Sequence, residues 1–407
     1  MALLYLAQGW CAARGGQLHA ATVNHGLRPE AAAEADMVAK ASAALGVPHV
    51  TLHWQGLAGP NGTGPDGTGP NGRGKGWTGQ GNLQAAAREA RRTLLTDWAG
   101  AQGLSAILLG HTADDQAETV LMRLARGSGV DGLAGMPPKD RTGLFLRPLL
   151  GVTRGDLRAW LMDRAIPWAE DPSNEDPRFD RVKARQLLAA LEPLGLTRAR
   201  LVETAAHMTR ARETLWAAAT AFVTHHLQTE AGDLLFDAPS LDLAQGDTPG
   251  RVLAAAVQWI GNAGYRPRHD SLTEAAVALR RGEARTLGGV RMQPYGAGGA
   301  RLSRELAAAQ TPVRAPSRPG AGVVWDGRWL VSQVGGPAIG DLTVSALGEV
   351  GFAACPAGRT AGLPRMALLA TPAIWQGEAL VAAPLAGHNA QWTASLRLPF
   401  DRFIVSH

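Results

Sequence analysis

The sequence predicts an α/β protein, a parallel sheet with helices on both faces, followed by a helical region and a small mixed or β-rich C-terminal part. Three observations predict it. Helix-patterned and strand-patterned stretches alternate through the first half, the βαβ rhythm of a parallel sheet. The stretch Leu104-Ser-Ala-Ile-Leu-Leu-Gly110 is almost uniformly apolar, as a central strand buried on both faces must be. From about 197 to 305 the pattern turns helical, with long Ala/Leu/Arg stretches at 198–229, 249–263 and 268–281.

In chain order, the pattern places a helix near 2–14, a strand near 17–23, a helix near 29–45 and a strand near 48–54. Residues 57–81 then carry three near-copies of a pentapeptide, Gly59-Pro-Asn-Gly-Thr, Gly64-Pro-Asp-Gly-Thr and Gly69-Pro-Asn-Gly-Arg. They offer almost no apolar side chains, so the segment reads as a flexible surface insertion. A phosphate-binding glycine loop would need the order strand, glycine loop, Lys-Ser/Thr, helix, which this segment lacks. A helix near 82–102, the strand at 104–110 and a helix near 113–126 follow. Beyond the helical region, Arg285-Thr-Leu-Gly-Gly-Val-Arg291 reads as a short strand-like turn, and a Pro/Arg/Ala linker spans 311–320. The last segment holds β-like runs such as Val323-Val-Trp-Asp-Gly-Arg-Trp-Leu-Val331. The domains expected are thus 1–192, 193–310 and 321–407.

A chain of 407 residues, 45% hydrophobic and 18% charged, is too apolar to be disordered throughout and long enough for more than one core. It has no run of eighteen or more apolar residues that could span a bilayer. The opening Met1-Ala-Leu-Leu-Tyr-Leu-Ala lacks the positive start and small-residue cleavage site of a secretion signal. Cys11 and Cys355 give neither a disulfide framework nor a metal-ligand spacing, which fits a reducing cytoplasm. The net charge is +5 and comes almost wholly from arginine, with lysine only at Lys40, Lys75, Lys139 and Lys183. Arginine forks suit phosphate, so a nucleotide or an acidic polymer is a plausible partner, although coding bias accounts for the arginine equally well. The twelve tryptophans are spread along the chain and suit cores better than base stacking.

The densest polar cluster is Gly110-His-Thr-Ala-Asp-Asp-Gln-Ala-Glu-Thr119, after the most strand-like segment and at the start of a helix. At about 100° per residue, His111, Asp114, Asp115 and Glu118 share one face of its first two turns. Three carboxylates there repel one another unless a cation sits among them, which points to a Mg²⁺–nucleotide or amine site at a strand's carboxyl end. A solvated acidic first turn that complements the helix dipole is the other reading. Val23-Asn-His-Gly-Leu-Arg28 ends an earlier strand and brings His25, Gly26 and Arg28 to the same sheet edge, or forms an ordinary turn. Gln84-Ala-Ala-Ala-Arg-Glu-Ala-Arg-Arg92 stacks Arg88 with Arg91 or Arg92, and also reads as a solvated basic face. Asp171-Pro-Ser-Asn174, ahead of Arg178, Arg181, Lys183 and Arg185, reads as a turn feeding a basic helix.

Taken together and in order, these segments resemble the tRNA(Ile)-lysidine synthetase family of PP-loop ATP pyrophosphatases. The resemblance rests on His-Gly-Leu-Arg at 25–28, Ala-Arg-Glu-Ala-Arg at 87–91 and Gly-His-Thr-Ala-Asp-Asp-Gln-Ala-Glu-Thr at 110–119. It continues through Arg126-Gly-Ser-Gly-Val-Asp-Gly-Leu-Ala-Gly-Met136, Arg147-Pro-Leu-Leu150 and Asp171-Pro-Ser-Asn174, covering 1–190 strongly and the rest loosely. Members of the family carry a Ser-Gly-Gly-x-Asp-Ser phosphate loop before a helix that begins much like Met1-Ala-Leu-Leu-Tyr-Leu, whereas this sequence opens inside that helix. The expectation is that the native start lies upstream, with a truncated, non-catalytic tRNA-binding paralogue as the alternative.

The resemblance implies an ATP-dependent carbon–nitrogen ligase of the cytoplasm that joins free L-lysine to the wobble cytidine of tRNA(Ile) with a CAU anticodon. It implies catalytic roles for His111, Asp114, Asp115 and Glu118, with Asp114 and Glu118 as Mg²⁺ ligands. ATP contacts fall to His25, Gly26 and Arg28, and tRNA contacts to Arg88, Arg91, Arg178, Arg181 and Arg185. The helical region is expected to bind tRNA, with Tyr265-Arg-Pro-Arg-His269 as a tRNA-facing patch. A PP-loop thiolase is disfavoured, because the chain has no Cys-x-x-Cys to carry sulfur or a cluster.

Overall fold

The computed structural model describes residues 1–24, 31–54, 83–169, 180–309, 311–316, 318–336, 340–356 and 362–405. They form two compact units, Met1–Arg212 and Glu213–His407. The pentapeptide segment at 57–81, His25, Gly26, Arg28 and Arg178 lie outside the described residues.

The first unit has the predicted alternation. Helix α1 (Ala2–Arg14) stops at Gly15, whose φ of 66° lets its N–H reach the Cys11 carbonyl. Strand β1 (Ala20–Asn24), helix α2 (Ala31–Ala44) and strand β2 (His49–His53) form a βαβ unit, with β1 and β2 parallel from Ala20↔His49 to Asn24↔His53. Helix α3 (Leu83–Ala101) buries Leu95 and Ala99 against Ile107 and Phe145, with Val23 and Leu52 of the first strand pair packed on the same core. Burying each large aliphatic or aromatic side chain of this kind contributes ~1.5–3 kcal/mol.

Strand β3 pairs only over Ile107–Leu108, shorter than the predicted 104–110, and runs parallel to β4 (Phe145–Leu146). Its partner sets the limit: β4 is followed by Arg147 and Pro148, and proline has no N–H to continue a ladder. Helix α4 (Ala113–Leu124) leaves the carboxyl end of β3. Then come α5 (Val130–Leu133), α6 (Arg154–Asp163), α7 (Asp180–Leu191) and α8 (Arg198–His226). One face of α4, Ala117, Val120 and Leu121, packs on Ala184 and Leu188 of α7 and on Leu201 and Ala205 of α8. Ala2 of α1 meets Leu161 of α6 and Ile166 in a further small core.

Of the helices expected between 193 and 310, the first is α8, which begins in the first unit; the second unit holds the others, and five strands lie among them. These are β5 (Leu227–Glu230), β6 (Asp233–Phe236), β7 (Arg285–Leu287), β8 (Val290–Tyr295) and β9 (Gly299–Arg304). They make an antiparallel sheet in the order β5-β6-β9-β8-β7, which takes in the strand-like turn read at 285–291. Helices α9 (Asp247–Gly261) and α10 (His269–Arg280) lie against it, and α9 is apolar nearly all round because it is the centre of that core.

The C-terminal segment is β-rich, as predicted. Strands β10 (Val313–Arg314), β11 (Gly322–Trp325), β12 (Trp329–Gln333), β13 (Thr343–Ala346), β14 (Pro372–Gln376), β15 (Ala379–Ala382) and β16 (Trp392–Leu396) form two antiparallel sheets, β10-β13-β14-β15 and β11-β12-β16. Trp325, Trp329 and Trp392 from one sheet and Val344 and Ile374 from the other share a core, so these tryptophans do fill the interior. Short helices α11 (Gly348–Ala354), α12 (Arg365–Leu369) and α13 (Phe400–Val405) complete the segment. Phe400 and Ile404 of α13 return to the core of α9, and the Trp259 indole donates to the Leu398 carbonyl at 2.8 Å. A buried ion pair, Arg304 Nε to Asp326 Oδ2 at 2.8 Å, ties β9 to the turn between β11 and β12. The two β regions of this unit are therefore one packed body.

Candidate active site

Helix α4 begins with a fixed geometry. Thr112 is its N-cap, extended at φ −109° and ψ 175°. Its hydroxyl accepts from the Asp115 N–H, and the Asp115 carboxylate takes the Thr112 N–H and hydroxyl, each at 2.8 Å. A cap of this type stabilises by about 1 kcal/mol, and here it also immobilises Asp115 Oδ2. Gln116 exchanges two hydrogen bonds with the Met136 main chain, at 3.0 and 2.7 Å, and Arg123 donates to the carbonyls of Gly132 and Gly135. Gly135 has φ 66°, and a Cβ there would lie 2.7 Å from Gln116 Oε1, so only glycine lets this loop close on α4.

The three carboxylates of α4 are gathered and buried, and arginines from three other helices sit among them. Asp114 Oδ2 accepts the main-chain N–H of Arg154, the first residue of α6, at 2.7 Å, and Oδ1 faces Arg198 of α8 at 3.4 Å. Asp115 Oδ1 lies 3.4 Å from Arg154 Nη2 and 4.0 Å from Arg181 of α7. Glu118 is 1% exposed; its Oε1 is 2.5 Å from Arg185 Nε and 4.0 Å from Arg154 Nη2. Its other oxygen, Oε2, is buried with no hydrogen-bond partner. A buried carboxylate oxygen left open is costly, so its persistence points to a ligand that donates to it.

His111 precedes the N-cap of α4, so helical period does not set its position and it does not share the helix face expected for it. It joins the site through charge. Burial pushes its pKa down to about 4, with Arg147, Arg181 and Arg88 pushing the same way and Asp115 opposing. The imidazole is therefore neutral at neutral pH, and its Nδ1 is buried without a partner.

Around this centre the arginines crowd one another. Arg91 is lowered by desolvation, then by Arg88 and Arg181; Arg123 by desolvation, then by Arg88, Arg212 and Arg126. Arg147 is lowered by desolvation first, with Arg88 and Arg92 adding to it and Asp140 acting against it. Arg88 is common to all three, is exposed, and has no ion pair among the described residues. Like charges held this close create a positive field that a polyanion relieves. Beside the acidic cluster opens a cleft of about 420 Å³, apolar along Leu3, Val38, Leu149 and Leu157 and polar at Asp115 and Arg154.

Residues 1–191 match the family model described as a PP-loop domain. The chain is 44% identical over 401 residues to the tRNA(Ile)-lysidine synthase of Ruegeria pomeroyi, covering 97% of this chain and 88% of that protein. The chain belongs to the tRNA(Ile)-lysidine synthase family. The synthase of Rhodopseudomonas palustris is 45% identical over 215 residues, 52% of this chain and 56% of that protein. That of Methylobacterium nodulans is 39% identical over 251 residues, 61% of this chain and 68% of that protein.

Of the family-site residues expected here, the structure brings together Asp114, Asp115, Glu118, Arg181 and Arg185, with His111, Arg88 and Arg91 in electrostatic reach. Asp114 and Glu118, expected as magnesium ligands, have most of their oxygens against other groups. Both oxygens of Asp114 and one of Glu118 already face N–H or guanidinium groups, and no group of three or more His, Cys, Asp or Glu among the described residues is placed to hold a metal ion. The cations that offset the clustered carboxylates are arginines. Sequence reasoning missed Arg154 and Arg198. Neither stands in a conspicuous polar run, and their distance along the chain from α4 hides the contact.

Proposed function

We propose that the protein is a tRNA(Ile)-lysidine synthase, which uses ATP to join L-lysine to C2 of the wobble cytidine in the CAU anticodon of tRNA(Ile). The cytidine 2-oxygen attacks the α-phosphorus of ATP, pyrophosphate leaves, and the adenylated oxygen becomes a good leaving group. The lysine ε-amine then attacks C2, the C2–O bond breaks, and AMP departs with the oxygen. The ammonium must lose a proton to become a nucleophile, and the amine loses another after bond formation, so the site needs acceptors.

Glu118 carries this reading: its buried, unpartnered Oε2 is an acceptor suited to a cationic amine. Asp115, held by its cap at Oδ2, is the neighbouring acceptor through Oδ1. His111, neutral with an open Nδ1, is suited to hydrogen bonding with the base or the leaving phosphate. Arg88, Arg91 and Arg181 supply the positive charge that phosphates of ATP or tRNA require. Among the described residues no group of three or more His, Cys, Asp or Glu is placed to hold a metal ion, so Asp114 and Glu118 would hold magnesium only together with substrate phosphates. The unit Glu213–His407 takes the role of holding the tRNA. A cytoplasmic setting suits this work, and among the described residues no helix is long and apolar enough to cross a membrane.

The test is lysine-dependent AMP release with ATP and a tRNA(Ile) CAU transcript, using protein expressed from its full reading frame. Glu118→Gln keeps the shape of the side chain and removes its charge. We expect about a hundredfold or greater loss of lysine incorporation, in line with the loss of a positioned acid or base, and tRNA affinity within about twofold. Normal turnover in that variant would overturn the reading.

A further inference from the structure

We propose that Arg154 is a positioning residue for the lysine site, an inference that rests on the function just given. Among the described residues, Arg154 alone lies within 4.0 Å of all three α4 carboxylates: its main-chain N–H donates to Asp114 at 2.7 Å, and its Nη2 lies 3.4 Å from Asp115 Oδ1 and 4.0 Å from Glu118 Oε1. Its place is fixed before the side chain is considered. Thr153 caps α6 through a reciprocal box with Asp156, the Thr153 hydroxyl donating to Asp156 Oδ2 at 2.6 Å, and the Ala113 N–H of α4 donates to the Val152 carbonyl just before α6 at 2.9 Å. From there the side chain, one third exposed, lines the cleft together with Asp115.

This placement decides which Glu118 oxygen is open. Arg185 Nε lies 2.5 Å from Oε1 and Arg154 Nη2 lies 4.0 Å from the same oxygen, while Oε2 has no hydrogen-bond partner. Without the Arg154 guanidinium, the repulsion between Asp115 and Glu118 is less compensated. The pull of Arg185 on Glu118 is then unbalanced, and the carboxylate turns further toward that guanidinium. That rotation closes the acceptor a lysine ammonium would use. Arg154 thus acts through Glu118, keeping one carboxylate oxygen available between two guanidinium groups.

The main-chain contact to Asp114 survives substitution, so side-chain variants isolate the guanidinium. The experiment compares wild type, Arg154→Gln and Arg154→Lys for KM and kcat with lysine and with ATP, for tRNA affinity, and for thermal stability. In Arg154→Gln we expect the KM for lysine to rise about tenfold or more, the scale of losing one charge-assisted contact, with the KM for ATP and the tRNA affinity within about twofold. Arg154→Lys, which restores the charge without the fork, is expected to recover part of the loss. An unchanged lysine KM in a stably folded Arg154→Gln overturns the proposal and leaves the synthase function standing. So does an equal loss for lysine and ATP with a lowered melting temperature, which is the signature of a structural role. Wild type without lysine-dependent AMP release removes both.

Discussion

His111 offers a prediction whose size follows from the structure. Its pKa falls from 6.5 to about 4 on folding, with burial as the leading cause and Arg147, Arg181 and Arg88 behind it. Between those two values the unfolded chain binds a proton that the folded site refuses, so stability falls as pH falls through the window and does not change from this source above it. Each pH unit inside the window is worth about 1.4 kcal/mol, so lowering the pH from 7 to about 4.5 removes up to about 3 kcal/mol. The variant is His111→Gln, which lacks the titrating group. The assay is hydrogen exchange of the α4 amides in wild type and variant from pH 7 to 4.5, read by mass spectrometry as opening free energies; a local probe is needed because the chain has two compact units. Other carboxylates titrate in the same range but cancel in the difference between the two proteins. The wild-type advantage should shrink steadily below pH 6.5. Two parallel pH curves would refute the reasoning, since a half-exposed, freely hydrated His111 would produce them.

Further outcomes are expected elsewhere. Asp326→Asn should destabilise the second unit by about 3–5 kcal/mol in urea unfolding, because Arg304 loses the anion at 2.8 Å inside a buried pair. Asp326 has φ 48°, a conformation asparagine adopts readily, so the backbone adds no strain of its own to that measurement. Tyr265 is 89% exposed at the tip of a loop pinned by Arg266 over the Trp216 ring and by Gln258 on the Gly264 carbonyl. If it stacks on an unpaired base, Tyr265→Ala should weaken tRNA binding by about 5- to 100-fold without changing the slope of log K against log salt. Arg268→Ala should instead reduce that slope by about 0.7–0.9, and filter binding across a salt series separates the two.

The alternation of the first half was legible because a buried parallel strand and an amphipathic helix each impose a local pattern, as Leu104–Gly110 and the α4 run show. The strands β5 and β6 were not. Leu227–Glu230 continues a helix-forming stretch without any breaker, and Asp233, a buried acid in a strand, contradicts strand preference on its face. It is tolerated there because Arg301 Nε and the Ser303 hydroxyl of β9, each at 2.7 Å, satisfy it. Pairing across 68 and 70 residues is invisible to any window of sequence.

The candidate site divides along the same line. The acids of α4 were legible, since 100° per residue puts Asp114, Asp115 and Glu118 within reach of one another, and the repulsion among them demanded a cation. The sequence left open whether magnesium or an amine answers that demand, and it did not show that arginines already face most of these oxygens. Arg154, Arg181, Arg185 and Arg198 arrive from α6, α7 and α8, and only the packing of Ala117, Val120 and Leu121 against α7 and α8 brings two of those helices near enough to supply them. Charge compensation by arginine also explains why the cluster can stay ordered while one acceptor remains open. Guanidinium groups fixed on separate helices satisfy Glu118 Oε1 and leave Oε2 for an incoming amine.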